Sequence, residues 1–84
     1  MPGLDGPIED AIFALLARRG DGKTICPSEA ARQVSPTDWR SLMDETRAVA
    51  GRLAAAGRLV VTQRGEPVEL APARGPIRLG SPDT

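Results

Sequence analysis

Residues 56–67, Ala-Gly-Arg-Leu-Val-Val-Thr-Gln-Arg-Gly-Glu-Pro, decide the fold because the hydrophobic period changes within them. Gly57 is typical of the position just after a helix, where a left-handed backbone ends the helical hydrogen bonding. The apolar and β-branched run 59–63 predicts a strand, and 64–67 carries the Gly and Pro of a turn. Residues 68–70, Val-Glu-Leu, predict a returning strand with Val and Leu facing the core. A helix followed by a β-hairpin is therefore expected.

Three helices are predicted before this hairpin. The first covers about residues 7–19, where apolar side chains recur at helical spacing. A short extended piece at 24–25 precedes a second helix over about 27–34, with proline at its first position. Ser35-Pro36-Thr37-Asp38 is the sharpest local signal, because a capping serine is followed by proline and an acidic residue. It predicts a tight link to a third helix that continues to about residue 56.

The third helix carries an apolar stripe of helical period, which predicts that it packs on the core. Trp39, at the start of this stripe, is interpreted as a core residue rather than as a ligand-stacking one. The predicted core consists of Ile8, Ile12, Leu16, Ile25, Trp39, Met43, Val49, Leu53, Leu59 and Val61.

The order helix, short strand, helix, tight turn, long helix and hairpin is that of a winged helix-turn-helix domain. We therefore predict an α+β fold of three helices with a C-terminal β-hairpin wing. One domain is expected over residues 7–79, with flexible ends at 1–6 and 80–84, since 84 residues suffice for a single core. Ile77-Arg78-Leu79 is expected to add a short edge strand.

Charge and composition limit the classes of partner. The chain has 11 basic and 11 acidic residues and no net charge, so a nucleic-acid site would require local segregation of charge. All the basic residues but Lys23 are arginine, which favours bidentate pairing with phosphates or carboxylates. A GC-rich genome is an equally good explanation of that bias. No apolar run is long enough for a membrane span, and residues 1–7 lack a signal-peptide pattern. We expect a cytoplasmic protein with no membrane partner.

Catalytic chemistry is not expected. The chain has no histidine and one cysteine, so His-assisted nucleophilic catalysis and the usual zinc sites are excluded, and no internal disulfide can form. No phosphate-binding glycine motif is present. We predict no enzyme activity, no cofactor and no metal. Cys26 lies at a predicted helix N-terminus, where a thiol can be reactive. We favour a structural, partly buried thiol, because free cysteine is among the most buried residue types.

Two functional hypotheses follow, and the sequence leaves both open. In the first, the domain binds duplex DNA, because the third helix of such folds enters the major groove and the wing meets the backbone. The candidate nucleic-acid-binding residues are Ser28, Arg40, Arg47 and Arg64. In the second, the domain is a protein-interaction module without nucleic-acid binding, since acidic Asp44 and Glu66 lie on the would-be DNA face. Polar residues would then form a structural cluster of Glu29, Arg32, Asp44 and Arg78.

Several short strings together resemble a known family. They are Ile25-Cys26-Pro27-Ser28-Glu29-Ala30-Ala31-Arg32, Trp39-Arg40-Ser41-Leu42-Met43, Arg47 with Ala50, and Gly75-Pro76-Ile77-Arg78-Leu79. In combination they are similar to a family of small bacterial proteins catalogued as domain of unknown function 3253. The resemblance covers about residues 8–79. It implies a winged-helix fold and no established activity.

Overall fold

The computed structural model describes residues 5–20, 22–70 and 75–82. Its helices are α1 (Asp5–Arg19), α2 (Pro27–Val34) and α3 (Met43–Ala55), and a 3₁₀ turn (Trp39–Leu42) leads directly into α3. Its strands are β1 (Thr24–Ile25), β2 (Val60–Gln63), β3 (Glu66–Pro67) and β4 (Arg78–Gly80). The prediction of an α+β fold with three helices is confirmed, and the arrangement is compatible with a winged helix.

The strands form one antiparallel sheet in the order β1-β4-β2-β3. Leu79 pairs with Ile25 on one side and with Val61 on the other, so β4 is an inner strand. The expectation of an edge strand near the C-terminus is therefore wrong. Gly80 pairs with Thr24 and Val60, so the chain does not fray from residue 80.

The predicted domain boundaries differ slightly from the observed elements. Helix α1 begins at Asp5, two residues before the expected start, so residues 5 and 6 belong to the helix and not to a flexible end. Residues 1–4 and 83–84 of the two predicted flexible ends lie outside the described residues.

The helix-to-strand transition at Gly57 is confirmed. Gly57 has φ 78°, its N–H donates to the Ala54 carbonyl at 3.0 Å, and the Arg58 N–H donates to the Leu53 carbonyl at 2.8 Å. These two bonds form a Schellman motif, which satisfies the last carbonyls of α3 and releases the chain into β2.

The hairpin between β2 and β3 is tighter and shorter than expected. Arg64 and Gly65 form its loop, and both have positive φ, 55° and 84°, as a type I′ turn requires. The returning strand covers only Glu66–Pro67. Val68 still donates to the Val61 carbonyl at 2.9 Å, but the predicted strand at 68–70 is wrong.

Trp39 and Met43 do not belong to the buried core, which corrects the predicted core set. Both side chains are only half-buried. Residues 36–38 form a turn and 39–42 a 3₁₀ helix with about three residues per turn, so Trp39 falls out of phase with α3. Leu42 is buried instead. The other eight predicted core residues are buried, together with Ala11, Ala30, Ala50, Ile77 and Leu79.

Candidate functional site

The predicted nucleic-acid-binding residues lie on separate elements. Ser28 is half-buried in the first turn of α2, with its Oγ 3.1 Å from the Cys26 Sγ. Arg40 is exposed in the 3₁₀ turn, and Arg64 is exposed at the tip of the hairpin. Arg47 is half-buried in α3 and already engaged in an interaction. Ser28 follows β1 and Arg64 follows β2, whose strands are two spacings, about 10 Å, apart. The four residues thus come from α2, the 3₁₀ turn, α3 and the hairpin loop.

The predicted polar cluster forms only in part. Glu29 forms an ion pair with Arg19 and accepts the Cys26 N–H at 3.0 Å. Arg78 donates from Nε to the Thr24 Oγ1 and from its terminal nitrogen to the Thr24 carbonyl, each at 2.9 Å. Arg19 also donates to the Thr24 carbonyl at 2.9 Å, so Glu29 and Arg78 belong to one network around β1. We name this set, Arg19, Thr24, Glu29 and Arg78, the β1 polar network.

Two members of the predicted cluster lie elsewhere, and one essential member was missed. The Arg32 guanidinium lies 4.3 Å from the centroid of the Trp39 ring. Asp44 is exposed and makes no ion pair with any of the described residues. Arg19 was not predicted as a member, because its partner Glu29 lies ten residues away, beyond the reach of helical i, i+4 pairing.

Burial and pairing act in opposite directions on the Glu29 carboxyl. Partial burial raises the pKa of Glu29, whereas the Cys26 N–H bond, the Arg19 guanidinium and the charge of Arg78 lower it. The lowering contributions prevail, so the pKa of Glu29 lies below its ordinary value.

This lowered pKa predicts a pH dependence of stability. The unfolded Glu29 carboxyl binds a proton at higher pH than the folded one, so its contribution to stability is present above its unfolded pKa, about 4.3, and is lost as pH falls through the folded pKa. We expect Glu29→Gln to lower the free energy of unfolding at pH 7 in urea titrations. The difference from the parent should shrink at pH 3. A difference that is unchanged at pH 3 would contradict the ionised role of Glu29.

Other exposed arginines are neutralised by ion pairs that join α1 to the C-terminal half of the molecule. Arg52 pairs with Asp5 at 2.8 Å, and Arg58 pairs with Glu9 at 2.9 Å. Exposed pairs of this kind contribute about 0–1 kcal/mol each. Each of these two arginines therefore has a carboxylate close to its charge.

Two arginines lie over the ring of the single tryptophan. The guanidinium groups of Arg32 and Arg40 lie 4.3 Å and 4.5 Å from the Trp39 ring centroid. Both arginines are exposed, and within the described part of the chain neither forms an ion pair. Cation–π contacts hold both charges near one ring. The Trp39 ring thus holds the two guanidinium groups at the surface through cation–π contacts.

A groove opens between α3 and the residues that follow the hairpin. Its volume is about 720 Å³. A Cβ built on Gly51 would lie 3.5 Å from the Leu70 Cδ2, so Leu70 lies over this glycine. We call this surface the α3–wing groove. It is lined chiefly by Ala48, Gly51, Ala55, Pro67, Val68 and Leu70.

Features that would point to metal, thiol or membrane chemistry are limited. Among residues 5–20, 22–70 and 75–82, no three potential ligands are grouped around a metal position. No helix in this part of the chain is both long and apolar enough to cross a membrane. Cys26 is a free, half-buried thiol beside Ser28; its structural role stays a prediction.

Over the described residues, the molecule is an α+β domain of three helices and a four-stranded antiparallel sheet, with an apolar groove beside α3. The chain belongs to the DUF3253 family, described as protein of unknown function, whose sequence profile matches residues 5–82. The resemblance to that family is thereby confirmed over nearly the whole chain. No curated protein matches the chain.

Proposed function

We propose that this domain is a protein-interaction module without nucleic-acid binding or catalysis, and that the α3–wing groove is its binding surface. The observation that carries the proposal is the groove of about 720 Å³, walled by apolar side chains, on the outer face of α3. Apolar grooves are a recurring binding surface for amphipathic segments of partner proteins. The proposed setting is the cytoplasm, which suits a chain with one free thiol.

The charges on α3 favour a protein partner over DNA. Asp44 and Glu45 are exposed in the first turn of the helix, where a recognition helix brings side chains close to bases and phosphates. Carboxylates there repel the phosphate backbone. Arg52, farther along α3, is neutralised by Asp5. The outer face of α3 is thus acidic at its start and apolar along the groove.

A random peptide library displayed on phage tests this proposal. The groove-blocked variant is Ala48→Gln/Ala55→Gln, which places two longer polar side chains in the groove lining at exposed helical positions. The matched control is Ala14→Gln/Ala17→Gln, which makes the same changes at exposed positions of α1. We expect peptides selected on the parent domain to bind the control equally and to lose at least about tenfold in affinity on the blocked variant.

The melting temperature of each variant shows that the fold is retained, since exposed alanine positions tolerate glutamine at little cost. Selected peptides that bind the groove-blocked variant as tightly as the parent would refute the groove as the binding surface. Failure to enrich any peptide over several rounds would also count against the proposal.

Duplex DNA is a second candidate partner, favoured by the exposed guanidinium groups of Arg32 and Arg40 and by Arg64 at the hairpin tip. If about three or four phosphates are contacted, log Kd should change with log salt with a slope of magnitude about 3–4, and nonspecific Kd should be about 10⁻⁴–10⁻⁵ M. The fluorescence of Trp39, the single tryptophan, reports binding close to Arg40.

Three substitutions test separate parts of the DNA-binding hypothesis. Arg64→Ala should weaken binding to all sequences alike and reduce the slope by about one, as expected for a phosphate contact. Arg47→Ala should cost about 1–3 kcal/mol of binding free energy if this residue reads a base. Asp44→Asn should strengthen binding by removing a negative charge. No measurable duplex binding at low salt, with no improvement for Asp44→Asn, would eliminate DNA as a partner.

A further inference from the structure

From the charges around the α3–wing groove we infer that its partner is a basic amphipathic helix, with an apolar stripe flanked by lysine or arginine. This inference rests on the proposed function and specifies the chemistry of the partner. The apolar lining of the groove contacts the apolar stripe of the partner helix. The carboxylates at the margins of the groove attract the basic residues that flank this stripe.

One acidic margin is part of α3 itself. Asp44, Ala48, Gly51 and Ala55 follow one another at intervals of four, three and four residues, so they share one stripe of the helix. The last three line the groove, and Asp44 lies one turn before them. Glu45 is adjacent, and both carboxylates are exposed. A partner that follows the stripe therefore meets negative charge at its Asp44 end.

The opposite wall carries a carboxylate as well. Glu69 lines the groove and is exposed. It forms no ion pair with a residue that the structure describes.

Nearby basic side chains offset this charge only in part. Arg52 lines the groove but is neutralised by Asp5 at 2.8 Å. Arg47 is half-buried and engaged in an interaction, and Arg64 is at the hairpin tip, outside the lining. The groove margins are therefore complementary to a basic partner.

The surroundings of the groove favour a helix over an added strand. Ala48 and Ala55 are small and exposed, and Leu70 covers Gly51 between them, so a bound helix would pack on Ala48, Ala55 and Leu70. The stripe from Asp44 to Ala55 is about 16 Å long, which matches about three turns of helix. The adjacent edge strand β3 is short and contains Pro67, which cannot donate to an added strand.

Two synthetic helical peptides test the inference directly. Each has about 16 residues and the same leucine stripe, and their flanking positions are all lysine in one peptide and all glutamate in the other. Peptide anisotropy gives affinity, and the amide NMR shifts of Ala48, Gly51 and Leu70 locate binding. We expect the lysine peptide to bind about tenfold tighter at low salt, because several exposed charge pairs each contribute modestly. This preference should shrink in high salt as screening increases.

Charge-neutralised variants provide the matched comparison. Asp44→Asn/Glu45→Gln/Glu69→Gln should bring the affinities of the two peptides close together, whereas Asp10→Asn, an exposed α1 position outside the groove lining, should leave the preference unchanged. If both peptides shift the groove amides with equal affinity, the basic-partner inference is overturned while the proposed function stands. If neither peptide shifts these amides, both the inference and the groove as a helix-binding surface are overturned.

Discussion

Replacing Leu79 by alanine is expected to lower the free energy of unfolding by about 2–5 kcal/mol. Leu79 is 0% exposed and lies in the inner strand β4, level with Ile25 of β1 and Val61 of β2. The removed methyl groups leave a cavity that neighbouring strands cannot fill without loss of pairing. A chain of 84 residues has a total stability of only about 4–12 kcal/mol, so this variant loses a large part of it.

Urea denaturation of the parent, Leu79→Ala and Leu15→Ala measures this effect. Leu15 makes the same chemical change at a half-buried position of α1, so its cost should be clearly smaller. Equal costs for the two variants would mean that Leu79 is not held inside the sheet, and that the C-terminal strand does not contribute its inner position to the fold.

Enlarging Ala30 to leucine is expected to destabilise the domain by about 1–3 kcal/mol. Ala30 is 0% exposed in α2, which packs against both α1 and α3. A leucine there must displace neighbouring core side chains or push the helices apart, because interiors are packed to nearly crystalline density. The small side chain at this position therefore sets how closely the three helices approach.

Thermal unfolding of Ala30→Leu beside Ala14→Leu separates packing from helix propensity. Ala14 is exposed in α1, and alanine and leucine have similar helix propensities, so Ala14→Leu should be nearly neutral. An Ala30→Leu variant as stable as the Ala14→Leu variant would show that space remains between α2 and its neighbours.

Three acidic residues and three arginines of this chain form ion pairs with one another. Asp5, Glu9 and Arg19, all in α1, pair with Arg52, Arg58 and Glu29. These pairs neutralise arginines that composition alone would make available to a polyanion. Three of the arginines thus join elements of the fold. Asp44, Glu45 and Glu69, which form no ion pair with a described residue, lie in or near the α3–wing groove. The protein-binding proposal explains that distribution better than DNA binding does.

Elements with local sequence signals were predicted correctly. Pro27 at the start of α2, the glycine after α3 and the run 60–63 of β2 were each predictable. A proline at a first helical position or a glycine with positive φ acts within a few residues, so a short window contains the whole physical cause. The family resemblance, which was carried by strings spread over the chain, is confirmed as well.

Contacts between distant residues depend on the packing of whole elements. The inner position of β4, the Arg19–Glu29 pair and the contact of Leu70 with Gly51 join segments that are far apart in the chain. Trp39 was misplaced because a 3₁₀ turn shifted it out of phase with α3, and no local signal distinguished that turn from the first turn of an α-helix. Local rules fix backbone conformation residue by residue, whereas burial and grooves depend on how whole elements pack. The α3–wing groove therefore arose from packing that no short window of sequence contains.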